Sequence, residues 1–417
     1  MGCHDGGVTT EHQSTAAELE RVAFEVKKVI VGQDHMVERL LVAVLAKGHI
    51  LLEGLPGLAK TLAVSTLADV IGGTFARLQF TPDLLPSDLT GTRIWRGKDD
   101  SFDIEWGPVF ANFLLTDEIN RAPAKVQSAL LEVMAERQVS IAGETRPMPS
   151  PFLVLATQNP VESEGVYTLP EAQRDRFLMK VVVGYPSPSE ELEIVRRSGA
   201  AGVPLGLARI ETVMSTDRLE ELQALAQRVY VDTGVAQYAV DLVMATREPE
   251  LRGLPELAPL IEFGVSPRAT LGLIDAARAL ALMRGRGYAL PQDIFDVARD
   301  VFRHRLMLTY EALAEDRTAD DILNRLLSVV PAADLTTARP EMEPASSVAA
   351  AVTRPSVPGD RVQAGSTDPT TDLSGLLRRP IEPDGSPSPT PPPAPVGDAA
   401  PVSNPTIISS PADHPTP

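Results

Sequence analysis

The sequence predicts an α/β domain built on a mostly parallel sheet, followed by a smaller all-helical domain and a disordered, proline-rich tail. Three observations predict it. Between residues 16 and 186, short apolar runs of strand length alternate with stretches of helical periodicity, the pattern left by parallel strands joined through helices. From 187 to 312 helical periodicity alone recurs, over 219–229, 235–247, 269–283 and 292–306. From 331 to 417 there is no aromatic residue but about half of the chain's 37 prolines, so too little apolar surface is available to offset the entropy of ordering. Residues 1–15 read as a flexible N-terminus and 313–330 as a linker.

Composition narrows the function. A chain of 417 residues has room for two or three domains. Its formal net charge of −18, with a pI near 4.8, repels a phosphate backbone, and no dense Lys/Arg cluster offsets it, which argues against a nucleic-acid partner. Cys3 is the only cysteine, which excludes an internal disulfide and a cysteine-rich zinc site. The opening MGCHDGGVTT has neither a basic n-region nor an apolar h-region, and Gly6 stands where a myristoylation signal needs Ser or Thr. The most apolar window, 40–55, is interrupted by Lys47, Gly48, His49 and Glu53 and falls short of the roughly 20 residues that span a bilayer. The expectation is a soluble, cytoplasmic protein without membrane insertion.

Along the chain, residues 49–52 are an apolar run suited to a buried strand, Gly54-Leu55-Pro56-Gly57-Leu58-Ala59-Lys60-Thr61 bends away from it, and 61–67 has helical spacing. The frame is that of a phosphate loop, G-x-x-x-x-G-K-[ST], with Ala59 in place of the second glycine. Unpaired N–H groups at a helix start favour a polyphosphate, with Lys60 placed for the β and γ phosphates and Thr61 for Mg²⁺. Alanine fits at 59 if that residue is right-handed helical, because glycine is needed only where φ is positive or a Cβ collides. The plain alternative is a strand-turn-helix with a solvated lysine.

The run 112–118 is an apolar strand ending in Asp117 and Glu118, at the edge where α/β sheets bind ligands; Asp117 there can hold Mg²⁺ and Glu118 can polarise water. Strand 151–157 ends in Gln158-Asn159-Pro160, and Asn159 can hydrogen-bond a γ-phosphate or an attacking water. Segment 169–177 places Arg174 and Arg176 on a short helix. Ser187-Pro188-Ser189-Glu190 is a capping box opening the helical part. Ser266-Pro267-Arg268 starts another helix with Arg268 at the positive end of its dipole, a small misfit that an anionic ligand would explain. Each admits a plain role too: strand-end acids capping a helix, a turn-forming Asn, arginines paired along their own helix. The cluster 372–379 in the tail reads as incidental rather than as a docking segment.

GLPGLAKT, LLTDE, ATQNP and the arginine of DRF, in this order and followed by a helical domain bearing SPR, resemble an AAA+ ATPase. The stretches LLEGLPGLAKT, FTPDLLPSDLTG, WGPVFANFLLTDEINRAPAKVQSALLEVMAERQV, ATQNPVE and LPEAQRDRFLMK are similar to the MoxR family of that superfamily, over roughly residues 16–312. Alanine before the lysine is itself MoxR-like, which favours the phosphate-loop reading. The resemblance implies ATP and Mg²⁺ as cofactors. Gly54, Leu55, Pro56, Gly57, Leu58, Ala59, Lys60, Thr61 and Leu62 would hold the nucleotide, and Val31 and Gly32 of VIVGQDH would lie against adenine. Thr61 and Asp117 would serve Mg²⁺, the latter through water, and Glu118 would polarise the attacking water. Asn159 is implied as sensor 1, Arg268 as sensor 2, and Arg176 as an arginine finger on a neighbour's nucleotide, with Arg174 the alternative. Segments 101–110 and 138–149 read as β-hairpins and resemble inserts that protrude toward a ring's pore or partner.

The function so implied is that of a homo-hexameric, ring-forming ATPase that remodels or matures a protein client in a chaperone-like role, with a von Willebrand factor A domain partner. A nucleic-acid motor is the first rival, and the acidic balance argues against it. A P-loop kinase for a small molecule is the second, and it has no use for Asn159, Arg176 and Arg268 together.

Overall fold

The computed structural model describes residues 5–97, 101–160, 167–199 and 210–331; the tail from 332, with its 372–379 cluster, and residues 1–4 lie outside the described residues. The strands of the first half are β1 (Ile50–Glu53), β2 (Phe75–Gln79), β3 (Gly91–Arg96), β4 (Ser101–Trp106), β5 (Phe113–Asp117), β6 (Gln138–Ile141), β7 (Glu144–Pro147), β8 (Leu153–Gln158) and β9 (Met179–Val182). Five of them form one all-parallel sheet in the order β2-β5-β8-β1-β9. A parallel sheet is covered on both faces, so its inner strands are apolar throughout rather than alternating. Leu51, Leu114, Val154 and Ala156 face one buried cluster, shared with the helix Ala124–Glu136, while Ile50, Leu52, Leu115 and Leu155 face the other, shared with the helix Lys60–Ile71. Because all five strands run the same way, Glu53, Gln79, Asp117 and Gln158 end at one edge of the sheet. That edge is where open α/β sheets take ligands.

Two hairpins stand apart from the sheet. β6 and β7 pair antiparallel around Ala142 and Gly143, whose φ of +52° and +88° make the two-residue primed turn that suits the twist of the strands. The other departs from expectation. β4 pairs upstream with β3, from Gly91 opposite Trp106 to Arg96 opposite Ser101, and not with the residues after Gly107. The Gly107 N–H donates to the Thr90 carbonyl (3.0 Å) and closes the pair, after which Val109 is buried in the core beneath.

Helices Pro188–Gly199, Thr216–Arg228, Thr233–Arg247, Pro267–Met283 and Pro291–Phe302 follow, the first opened by the Ser187/Glu190 capping box. This part is not wholly helical, since Ile261–Phe263 pairs with Met307–Leu308. Two boundaries also move. The supposedly flexible N-terminus is helical from Asp5, in the helix Asp5–Val29, and His12 and Thr15 are buried; His12 packs against the backbone of Gly287, a contact from far along the chain that local composition does not reveal. The supposed linker contains the helix Ala319–Val329, capped by Thr318 and Asp321, whose Ile322, Leu323, Leu326 and Leu327 complete the core. One apolar cluster runs from the sheet through the helices to Val330, so residue 186 is no break in the core.

The helix Asp34–Leu45 is pinned to Pro291–Phe302 by charge as well. Arg39 Nε donates to Asp300 (2.7 Å) and Arg39 Nη2 to the Asp296 carbonyl (2.6 Å), with Arg303 on the other oxygen of Asp300 (2.9 Å). Arg39 and Asp300 are only 5% and 2% exposed. Among the described residues no helix is long and apolar enough to cross a membrane.

Candidate active site

The loop between β1 and Lys60–Ile71 is shaped by two glycines for different reasons. A Cβ on Gly54 would lie 2.6 Å from the Val183 carbonyl oxygen, so the backbone there has room for no side chain. Gly57 has open space but φ of +83°, which favours glycine by conformation. Ala59 overturns the expected geometry: its φ of +59° and ψ of +18° are left-handed, not right-handed. The usual glycine belongs there for that reason, and alanine takes the same shape at a cost of roughly 1–2 kcal/mol. Its carbonyl accepts the first helical bond, from Ala63 N (2.8 Å), and no side chain caps the helix, so the first-turn N–H groups stay available at the cavity. Lys60 Nζ donates to the Gly54 carbonyl, within the loop that it follows. Burial holds the Lys60 ammonium below the usual lysine range, and the carboxylates of Asp117, Glu118 and Glu53 oppose that shift.

These residues open onto a cavity of about 520 Å³, within the range of small-molecule sites. Val31, Pro56, Gly57, Leu58, Ala59, Lys60, Thr61, Leu62, Asp117, Glu118 and Asn159 all line it. Asp117 accepts from Thr157 Oγ1 (3.1 Å), Thr61 Oγ1 (3.3 Å) and Arg77 Nε (2.7 Å). Glu118 turns out of the sheet through a left-handed residue (φ +58°) and accepts from Gln79 Nε2 (2.8 Å), with Arg121 Nε at 3.0 Å. Asn159 is buried at the tip of the neighbouring β8. Mg²⁺ binds through one or two protein oxygens plus water and phosphate, and the Thr61 hydroxyl beside the Asp117 carboxylate at the foot of the helix fits that donor set. Val29, Ile30, Val31 and Ile194 give the cavity an apolar side suited to a flat base.

Gly32, Gly54 and Leu55 do not line the cavity. Gly32 makes the turn after Val31, with φ of +65° and the Glu190 carboxyl where a Cβ would be; Leu55 packs on the core. Arg77, Gln79, Thr157 and Ile194 line it without having been singled out in the sequence. The signal for two of them was present: Arg77 and Gln79 are polar residues two apart in an edge strand, hence on one side of it. Ile194 reaches in from the first helix after the sheet, which only the tertiary fold reveals.

The arginines converge elsewhere. Arg176 lies just beyond the four-residue helix Glu171–Arg174, is exposed, and donates to the Leu131 carbonyl. It lines a second cavity, of about 370 Å³, together with Lys47, Arg137, Asp175, Arg268 and Arg305. Arg174 is half-buried with its Nη2 3.8 Å from Glu171 on the same helix. Arg268 sits in the first turn of Pro267–Met283, capped by Ser266 as expected, but its anion is internal: Asp175 lies 3.9 Å away and also accepts from Ser266 Oγ (2.9 Å) and Arg305 Nε (2.7 Å). The misfit at that helix start is thus answered within the chain, and Arg268 does not line the cavity around Lys60.

Comparison with known proteins agrees with this architecture. Residues 49–179 match the family described as ATPase family associated with various cellular activities (AAA), and 257–326 match the AAA lid domain, which carries the lid well past residue 312. The chain is 60% identical over 312 residues to Chaperone MoxR1 of Mycobacterium tuberculosis, covering 75% of this chain and 81% of that protein. It is 33% identical to Protein MoxR of Methylorubrum extorquens, covering 78% and 96% of the two chains. The crystal structure of a proposed ATPase from Cytophaga hutchinsonii superposes with a TM-score of 0.72 at 46% identity, over 77% of this chain and 97% of that one. The chain belongs to the MoxR family of AAA+ ATPases.

Proposed function

We propose that this chain hydrolyses Mg²⁺·ATP as a homo-hexameric, cytoplasmic ring and uses the cycle to remodel or mature a protein client, with a von Willebrand factor A domain protein as partner. The observation that carries the reading is the division of labour between the two cavities: Lys60, Thr61, Asp117, Glu118 and Asn159 converge on one, Arg176 and Arg268 on the other. The helix N–H groups and Lys60 take the phosphates. Mg²⁺, beside Thr61 and Asp117, supplies charge neutralisation on the phosphate oxygens. Glu118 polarises the attacking water and Asn159 orients it. Arg176 serves the nucleotide of the adjoining subunit, since it does not border the cavity of its own, and Arg268, beside Asp175, keeps the sensor 2 role that the resemblance implies. Arg176 is preferred over Arg174 as the finger because it is exposed, whereas Arg174 is half-buried and pairs along its own helix. The name of the Mycobacterium relative supports a chaperone role. The β3/β4 hairpin offers a client-facing element, with Trp95 and Phe102 exposed and packed edge to face (4.9 Å).

Mixing tests the ring and the assignments together. Glu118→Gln subunits have a dead pocket and an intact finger; Arg176→Ala subunits have the reverse. In a head-to-tail ring, equal random mixing rebuilds roughly a quarter of the sites, so two inactive preparations regain ATPase activity. A mixture that stays inactive, with subunit exchange demonstrated by tagged chains, removes Arg176 as the finger.

A further inference from the structure

Asp117 is a carboxylate 8% exposed whose close charged partner is Arg77, at 2.7 Å, while Lys60 spends its hydrogen bond on the Gly54 carbonyl. The hydroxyls of Thr61 and Thr157 solvate Asp117 but do not neutralise it. A buried anion without a counter-charge is costly, so Arg77 does at Asp117 what a divalent cation would do. Arg77 differs from its partner in one respect: it is 54% exposed, on the edge strand β2, and its long side chain also borders the cavity. A guanidinium so placed can leave at little cost in packing.

We propose that Arg77 holds the place of the divalent cation at Asp117, neutralising that carboxylate while the metal is away and yielding it when Mg²⁺ arrives with the nucleotide. The inference rests on the reading of this cavity as a Mg²⁺·ATP site. A divalent cation and a guanidinium gathered at one carboxylate repel each other, directly or across a water, so arrival of the metal weakens the hold of Asp117 on Arg77. Arg77 is then displaced from the carboxylate into solvent, to which more than half of its side chain is already open. Without Mg²⁺, a triphosphate meets an Asp117 already paired with Arg77; without Arg77, it meets a carboxylate whose remaining nearby cation, Lys60, must also serve the phosphates. Arg77 is thus a positioning residue, and its contribution depends on whether the metal is bound.

The test is binding, not turnover. Titration calorimetry with a non-hydrolysable ATP analogue compares the parent and Arg77→Ala, each in EDTA and in saturating Mg²⁺. The expected result is a Kd raised about tenfold or more in EDTA and changed by less than about threefold in Mg²⁺, because the cation then neutralises Asp117 in both proteins. Arg77→Lys keeps the charge and should restore most of the metal-free affinity. Equal effects in the two conditions, including none, overturn the proposal, as does a loss confined to Mg²⁺. A parent that binds the analogue in neither condition refutes the site itself, a different outcome from refuting Arg77.

Discussion

Acid should loosen this chain in a window set by His49, whose share can be worked out. His49 immediately precedes β1, is 6% exposed, and its Nδ1 accepts the N–H of Val154 (2.9 Å) on the adjacent β8. Burial pushes its pKa from 6.5 down to about 4, the charge of Arg137 acts in the same direction, and a backbone hydrogen bond at Met134 opposes them. The unfolded chain therefore takes up a proton near pH 6.5 that the folded chain refuses until about 4. Stability from neutral His49 is complete above 6.5, declines as the pH falls, and is gone once the folded pKa is passed. At 1.36 kcal/mol per unit the whole interval amounts to about 3 kcal/mol, of which about 2 is lost by pH 5. Urea unfolding of the parent and of His49→Gln, from about pH 7.5 to about pH 5, isolates the effect. Glutamine retains an acceptor for Val154 but does not titrate, and every other ionisation, including that of buried His304, is common to both proteins and subtracts. The parent should lose about 2 kcal/mol more than the variant over that range. Parallel curves would refute the argument.

Ala59→Gly should raise stability by about 0.5–1 kcal/mol, the left-handed cost of alanine less the unfolded-state entropy that glycine restores, and the melting temperature by about 1–3 °C; a lower melting temperature would contradict the left-handed geometry. Lys60→Ala should abolish ATP binding in calorimetry while leaving the melting temperature unchanged, since the ammonium makes no core contact. In the parent, ATP binds the ammonium form, so affinity is full below the free-state Lys60 pKa and declines as pH rises, beginning below the ordinary 10.5; Lys60→Arg should show no such decline, and coincident alkaline limbs would sink the assignment. Truncation after Pro331 should leave ATPase activity and melting unchanged, whereas truncation after Leu313 removes five buried apolar side chains, Ile322, Leu323, Leu326, Leu327 and Val330, and should cost several kcal/mol at about 1.5–3 each. Equal melting temperatures of the two truncations would show that the last helix does not support the core.

The parallel sheet and its ligand-binding edge were legible because each inner strand is an uninterrupted apolar run ending in polar residues, as LLTDE and LVLATQN are. The loop was legible as a motif but not as a conformation: a letter such as Ala59 carries no φ, and the backbone sign is set by how the loop closes over β1. The partners of the two carboxylates were harder to find. Arg77 and Gln79 look like ordinary surface residues of an edge strand until the register sets Gln79 opposite Asp117. The helix Ala319–Val329 is harder to see because it stands alone behind the turn at Asp316, although Thr318 and Asp321 spell its capping box and Ile322, Leu323, Leu326 and Leu327 its apolar face. The anion at Arg268 proved to be Asp175, 93 positions back along the chain, and no local pattern reports a contact over that separation.

The Arg39–Asp300 pair determines which internal motions are cheap. Apolar helix faces can slide over one another for a small change in energy, because one methyl contact replaces another. A guanidinium held on a carboxylate by directional bonds and shut away from water has no equivalent position a turn further on, and separating it strands a charge at a cost of about 3–5 kcal/mol. The helix Asp34–Leu45 and the helix Pro291–Phe302 are therefore compelled to travel together. Any swing of the lid relative to the nucleotide must therefore carry both helices with it and be taken up where no such pair binds the neighbours.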